Sequence, residues 1–367
     1  MSAITRPTVD ADVHIHELNS DLAPYFDLPW RRALEEGGLA REGARSVKGE
    51  RFLDYPGYSP LTPYDPILGD LPEGEPRRIT CADELRQDLS QRGIGAALIY
   101  TGRLLRAATS NDHHYVAALA RAYNRYLHEC WADPAQGIYA AIMAPNQLPE
   151  LAAGEIAAYA RKDGFVAVYL PTAGNYPLWG DRSYDPIFAA AEAADLPVVL
   201  QGAITIHTVF PYELHHMPTA LAKQTLSQAF GAIANLVSIL TTGVLARFPR
   251  LKVVVNDAGL AWLPLVIGRL DHYHQYLREE VPFVETRPSD DVRKRVYVTT
   301  HPIDVPVDNA EYVAACLRAI GVDRLLFGSD WPHFDATTPD AIRTLPLGDD
   351  EISQILSENA RTLFRIG

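Results

Sequence analysis

His14 and His16 stand two residues apart at the end of the run Thr8-Val-Asp-Ala-Asp-Val-His-Ile-His16. Val9, Val13 and Ile15 suit an extended strand, and alternate side chains of a strand point to one side. Both imidazoles therefore face the same way and can reach one ion. Near the other end of the chain, Arg324-Leu-Leu-Phe-Gly328 runs into Ser329-Asp330-Trp331-Pro332-His333. Carboxylates are seldom buried without a partner, so Asp330 reads as a metal ligand or a base. Asp257 leaves Val253-Val-Val-Asn256 in the same manner. His301, after the apolar run ending at Thr299, and His333 are expected to line the same pocket. Gln201 closes Pro197-Val-Val-Leu200, and His215 and His216 in the following loop either join the site or form a surface pair. An ion on such a set would lower the pKa of bound water towards neutrality and polarise a carbonyl. Asp257 would take the water's proton and hand it to the leaving group.

Such residues need strands whose ends converge. Strands are expected over Thr8–His16, Gly95–Tyr100, Ile138–Met143, Phe165–Leu170, Pro197–Leu200, Leu251–Val255, Arg295–Thr299 and Arg324–Gly328. Helical patterns alternate with them at Asp83–Arg92, His113–Trp131, Glu150–Lys162, Tyr184–Ala194, Thr219–Arg247, Trp262–Tyr276, Ala310–Ile320 and Glu351–Phe364. Nearly all-apolar strands mark a parallel sheet covered on both faces. Eight strand–helix units specify an α/β fold, a (β/α)8 TIM barrel, with its chemistry at the C-terminal ends of the strands. No G-x-G-x-x-G follows an early strand, which excludes the usual dinucleotide-binding alternative. The whole chain, 1–367, is expected to be one such barrel. Residues 17–80 interrupt the alternation with 8 of the 27 prolines and seven aromatics. Prolines at that spacing forbid long helices, while so many aromatics argue for order. The expectation is a loop-rich insertion over the C-terminal face, serving as a lid or a subunit interface.

The chain carries 33 basic and 46 acidic residues, a formal charge of −13, with 47% hydrophobic and 22% charged residues. With no Lys/Arg cluster, nucleic acid and anionic membranes are excluded as partners. Cys81, Cys130 and Cys316 lie far apart, so neither a disulfide framework nor a thiolate zinc site is indicated. With no apolar signal core at the N-terminus and no membrane-length apolar run, a cytoplasmic homo-oligomer, a dimer, acting on a small molecule is expected.

The chain resembles the amidohydrolase-2 branch of the amidohydrolase superfamily, the metal-dependent barrels that include the aminocarboxymuconate semialdehyde decarboxylase-like enzymes. The segments that carry the likeness are Val9–His16, Ala122–Asn124, Gly180–Ile187, Gly243–Lys252, Asp257–Pro264, Arg269–Asp271 and Phe327–Asp335. The resemblance implies a metal held by His14, His16, Asp330 and a strand-five residue, with an acid or histidine at the Asp257 position contacting water or substrate. Gln201 stands where the family carries the strand-five histidine. Its carbonyl oxygen can coordinate, but as a neutral, harder donor it binds zinc less well. One divalent ion is therefore expected, zinc first and manganese second, and the Gln201 departure leaves a metal-free member as a further reading. The expected activity is hydrolysis of a small amide, lactone or similar carbonyl compound, with non-oxidative decarboxylation as the alternative. A carboxylate of ordinary pKa is a better base than acid, so Asp257 favours hydrolysis.

Overall fold

Val9, Ile99, Ile142, Val168, Val199, Val254, Val298 and Leu326 are all essentially solvent-inaccessible and lie on eight different runs of the chain. Side chains this apolar on a short strand cannot face water on either side, and the solution the chain adopts is a closed parallel sheet. In the computed structural model, which describes residues 6–15, 17, 19–35, 79–101, 112–172, 176–202, 220–305, 308–333 and 335–367, these runs are β1 (Thr8–Ile15), β2 (Ile94–Thr101), β3 (Ile138–Met143), β4 (Phe165–Pro171), β5 (Val198–Gln201), β6 (Val253–Asn256), β7 (Val296–Thr299) and β8 (Leu325–Leu326). They pair in sequence order as one eight-stranded sheet. The circle closes where Ala11 N–H donates to Phe327 O (2.8 Å), Asp330 N–H to Asp12 O (2.9 Å) and His14 N–H to Trp331 O (2.7 Å). The fold is a (β/α)8 TIM barrel, as expected.

The pleat of β1 puts Val9, Ala11, Val13 and Ile15 on one face and Asp10, Asp12 and His14 on the other. His14 pairs in register with Tyr100 of β2, and Gln201 of β5 with Asn256 of β6. Each buried Val or Leu stabilises the fold by about 1.5–3 kcal/mol, and many such burials offset the cost of polar groups inside the rim.

Differences from the sequence expectation have local causes. The helix expected over Thr219–Arg247 is two, Ala220–Thr241 and Val244–Arg247, because Gly243 takes φ +76° between them, where Phe283 packs against it. Pro288–Arg295 forms an unforeseen helix whose proline occupies the first turn, where no N–H is missed. The C-terminal helix runs from Asp349 to Phe364 through a π-turn at Gln354–Glu358. Of the 17–80 segment, 36–78 lies outside the described residues; the described start packs on helix His113–Cys130. There Phe26 stacks on Tyr115 at 6.3 Å between ring centroids, and Arg125 bonds Asp27 at 2.7 Å. No helix among the described residues is long and apolar enough to cross a membrane.

Candidate active site

Asp257 and Asp330 share a backbone feature: both take positive φ, 47° and 60°, Asp257 directly after β6 and Asp330 in the loop that follows β8. That left-handed geometry is uncommon outside glycine, though Asp and Asn tolerate it best, and it concentrates where function requires a side chain to be re-aimed. Here it turns both carboxylates towards the barrel axis. Asp330 Oδ1 lies 3.2 Å from His14 Nε2 and 2.8 Å from His333 Nδ1, while Asp330 Oδ2 lies 3.5 Å from His301 Nε2. His301 Nε2 is also 4.0 Å from Asp257 Oδ1 and 3.9 Å from Asp335 Oδ2. The rings of His14 and His333 meet edge to face at 4.9 Å. His14, His301, His333, Asp257 and Asp330 are thus gathered in one place. His16, His215 and His216 lie outside the described residues.

Gln201 is fully buried and is drawn into hydrogen bonds. Its Oε1 accepts from Asn256 Nδ2 at 2.6 Å, and its Nε2 donates to Asp257 Oδ2 at 3.4 Å. Gln228, on helix Ala220–Thr241, donates a second amide N–H to the same carboxylate oxygen at 3.1 Å. Asn256 Nδ2 also reaches Asp12 Oδ1 at 2.6 Å, and Asp12 Oδ1 stands 3.2 Å from His14 Nε2.

Asp10 and Asp12 were not singled out from sequence as site residues, although they share the two-residue period of His14 and His16. That alternation was a usable signal, since four polar groups on one strand face cannot all meet solvent in a barrel. Tyr100 and Tyr169, buried side by side with ring centroids 5.9 Å apart, and Gln228 carried no such signal.

The electrostatics follow from this concentration of acids. Burial, with help from Asp330 and Asp12, pushes the Asp257 carboxyl well above its ordinary value. Burial opposes ionisation of Asp330 too, but the charge of His333 and the bonds from His14 and His333 outweigh it and hold Asp330 well below the usual range. For His14, desolvation is outweighed by Asp12 and Asp330, which raise it well above an ordinary imidazole. Several buried polar atoms find no hydrogen-bond partner among the described residues: His14 Nδ1, Asp12 Oδ2, Asp257 Oδ1, His301 Nδ1 and the hydroxyls of Tyr100 and Tyr169. Each such orphan costs about 1–3 kcal/mol, so a cluster of them marks a place meant for something else. Ligand atoms of His14, Asp330 and His333, and of Asp257, His301 and Asp330, lie within 4.8 Å of one another. Buried carboxylates and imidazoles in excess of any protein cation fit a divalent ion, and the all-N/O donor set suits manganese or zinc.

Asp10 offers a separate check on this reading of the interior. Its Oδ1 accepts from the N–H of Asp12 and of Ser329, both at 3.0 Å, and burial pushes the carboxyl up to about 7 from 3.8. Ionisation of Asp10 therefore favours the unfolded chain. Its contribution to stability is full below pH 4 and is lost as pH rises to about 7, by up to about 4 kcal/mol. Asp10→Asn keeps the accepting oxygen and removes the charge. In chelator, urea melts should show the variant more stable than wild type at pH 8, with the gap closing towards pH 4. A gap equal at both pH values would remove Asp10 as its source.

The family model described as Amidohydrolase, Amidohydro_2, matches residues 11–366. The chain belongs to that family. Among curated proteins, it is 21% identical over 325 residues to the gamma-resorcylate decarboxylase of Polaromonas sp. strain JS666, covering 86% of this chain and 95% of that protein. Among solved structures, 5-carboxyvanillate decarboxylase LigW from Sphingomonas paucimobilis aligns with a TM-score of 0.73 at 18% identity, covering 98% and 99% of the two chains. The dihydroxybenzoic acid decarboxylase of Polaromonas sp. JS666, solved with manganese and the inhibitor 2-nitroresorcinol, aligns with a TM-score of 0.70 at 16% identity over 98% and 97%. The expectation of hydrolysis is thereby corrected, because these curated relatives and solved structures are named decarboxylases. Its physical premise fails as well. Asp257 does not sit at an ordinary carboxylate pKa: burial, with Asp330 and Asp12 beside it, opposes its ionisation.

Proposed function

We propose that this amidohydrolase is a non-oxidative decarboxylase of a hydroxylated aromatic acid, dependent on one divalent ion. The observation that carries the reading is Asp257, a buried carboxyl whose ionisation burial opposes, placed 4.0 Å from His301 beside the histidine–aspartate cluster. A reaction that replaces a carboxylate by hydrogen needs a proton donor of this kind, whereas water activation needs a base.

His14, His16 and Asp330 would hold the ion. Manganese takes precedence over zinc on the strength of the Polaromonas structure and of a donor set rich in oxygen. When bound, the ion supplies positive charge that orients the acid's oxygens and stabilises negative charge developing on them. Asp257 Oδ1 delivers its proton to the ring carbon that bears the carboxylate. The bond from that carbon to the carboxylate then breaks, its electron pair restores the aromatic ring, and CO2 leaves. Asp257 is left as a carboxylate and recovers a proton from solvent. His301, 4.0 Å from Asp257 Oδ1 and 3.5 Å from Asp330 Oδ2, is placed to steady the carboxylate between turnovers. Because the delivered proton is exchangeable with solvent, the product made in D2O should carry deuterium at the vacated position.

Manganese-loaded protein given gamma-resorcylate or 5-carboxyvanillate should release one CO2 per aromatic product, each product singly deuterated in D2O. If neither acid loses CO2 with manganese or with zinc, the reading fails.

A further inference from the structure

We infer that Gln201 acts on Asp257 as a positioning residue and is not a ligand to the ion. The inference rests on the decarboxylase reading for Asp257's role and on hydrogen-bond geometry for the rest.

The chain of bonds begins at Asp12, whose Oδ1 accepts from the side-chain amide of Asn256. Asn256 therefore turns its NH2 towards Asp12 Oδ1, and its second N–H meets Gln201 Oε1, both at 2.6 Å. That contact sets the orientation of the Gln201 amide, since the reverse would put two NH2 groups face to face. Oε1 is turned to Asn256, and Nε2 must face Asp257. It donates to Oδ2 at 3.4 Å, where Gln228 Nε2 already donates at 3.1 Å. An oxygen that accepts two N–H groups has no room for a hydrogen of its own. Oδ1 is left as the oxygen without an N–H donor, and it is the one that faces His301.

The backbone reinforces this. Gly202, next to Gln201, donates its N–H to Asn256 O at 2.7 Å, and a Cβ there would fall 1.7 Å from the Asp257 carbonyl oxygen. Only glycine lets β5 approach the strained turn that aims Asp257. The departure from the family's histidine therefore reads as a change of employment: the strand-five side chain serves the acid.

The test uses manganese-loaded protein and two substitutions, Gln201→Leu and Gln201→Glu, with circular dichroism to confirm folding. Gln201→Leu removes the donor. It should lower kcat for CO2 release roughly 10–100-fold, as small misplacements of a reacting group do, with KM and manganese per chain unchanged. Gln201→Glu keeps the shape and the acceptor for Asn256 but faces Asp257 Oδ2 with an oxygen in place of the donating N–H, which releases the carboxyl from its aim. Its kcat should fall at least as far, again with full manganese content. A ligand role predicts the reverse pattern, in which Leu loses manganese and Glu holds it more tightly, and that pattern overturns the inference. So does wild-type kcat in either variant. Wild-type protein inactive on both acids overturns the decarboxylase reading and the proton assignment with it. Elemental analysis of the same variants then still decides whether Gln201 is a ligand.

Discussion

Asp257→Asn should reduce CO2 release by roughly 10²–10⁴-fold, the range over which a positioned general acid contributes, without loss of manganese or of fold. Asparagine is nearly isosteric and tolerates the φ of 47° that this position requires. Its carbonyl oxygen can still accept from Gln201 and Gln228, and its NH2 can still face His301, but an amide has no proton acid enough to transfer to carbon. The substitution therefore isolates acidity from shape. It also removes the buried acid whose ionisation is opposed by desolvation and by Asp330 and Asp12. A carboxyl raised in this way contributes stability at low pH that is lost as pH rises. The metal-free variant should consequently melt with a flatter alkaline limb than wild type. Elemental analysis, CO2 release and melts in chelator check the three statements separately. Near-wild-type turnover would mean that the proton comes from elsewhere, and His301 would then be the group to test.

Some of this site was legible before any coordinates and some was not, for reasons that lie in particular residues. The barrel announced itself because Val253-Val-Val and Val296-Tyr-Val are too apolar and too short for anything except strands covered on both faces. His14 and Asp330 were readable because a polar group at the end of such a strand has few structural reasons to be there. The protonation of Asp257 was not readable. It depends on carboxylates from β1 and β8 meeting one from β6, a property of closure that no window of sequence contains. Gln201 shows the same limit. As a residue type it could complete a metal shell, and only the partner Asn256 turns its oxygen away. Asp10 and Asp12 are a different case, since the two-residue alternation that marks the histidines includes them.

Asp330→Asn should abolish CO2 release and weaken manganese binding by at least about 10²-fold while leaving the barrel folded. Asp330 is the one carboxylate in contact with three of the site's imidazoles, His14, His301 and His333, among the described residues. Loss of its charge removes the anion that any cation there must face. The fold should survive because the backbone bond from residue 330 to Asp12 O is kept, asparagine accepts a φ of 60°, and barrel stability comes from the packed interior layers. Stability of the metal-free protein gives a second signature with a definite sign. Asp330 is depressed in the fold, so its contribution is present above its ordinary value of 3.8 and is lost as pH falls through the depressed value. His14 is raised, so its contribution is full below its ordinary 6.5 and is lost as pH climbs through the raised value. Both are present together between about pH 4 and 6.5, and there the deficit of Asp330→Asn against wild type should be widest in urea melts with chelator. With manganese added, wild type should gain stability and the variant should not. A variant that keeps one manganese per chain and wild-type CO2 release would separate the end of β8 from the chemistry altogether.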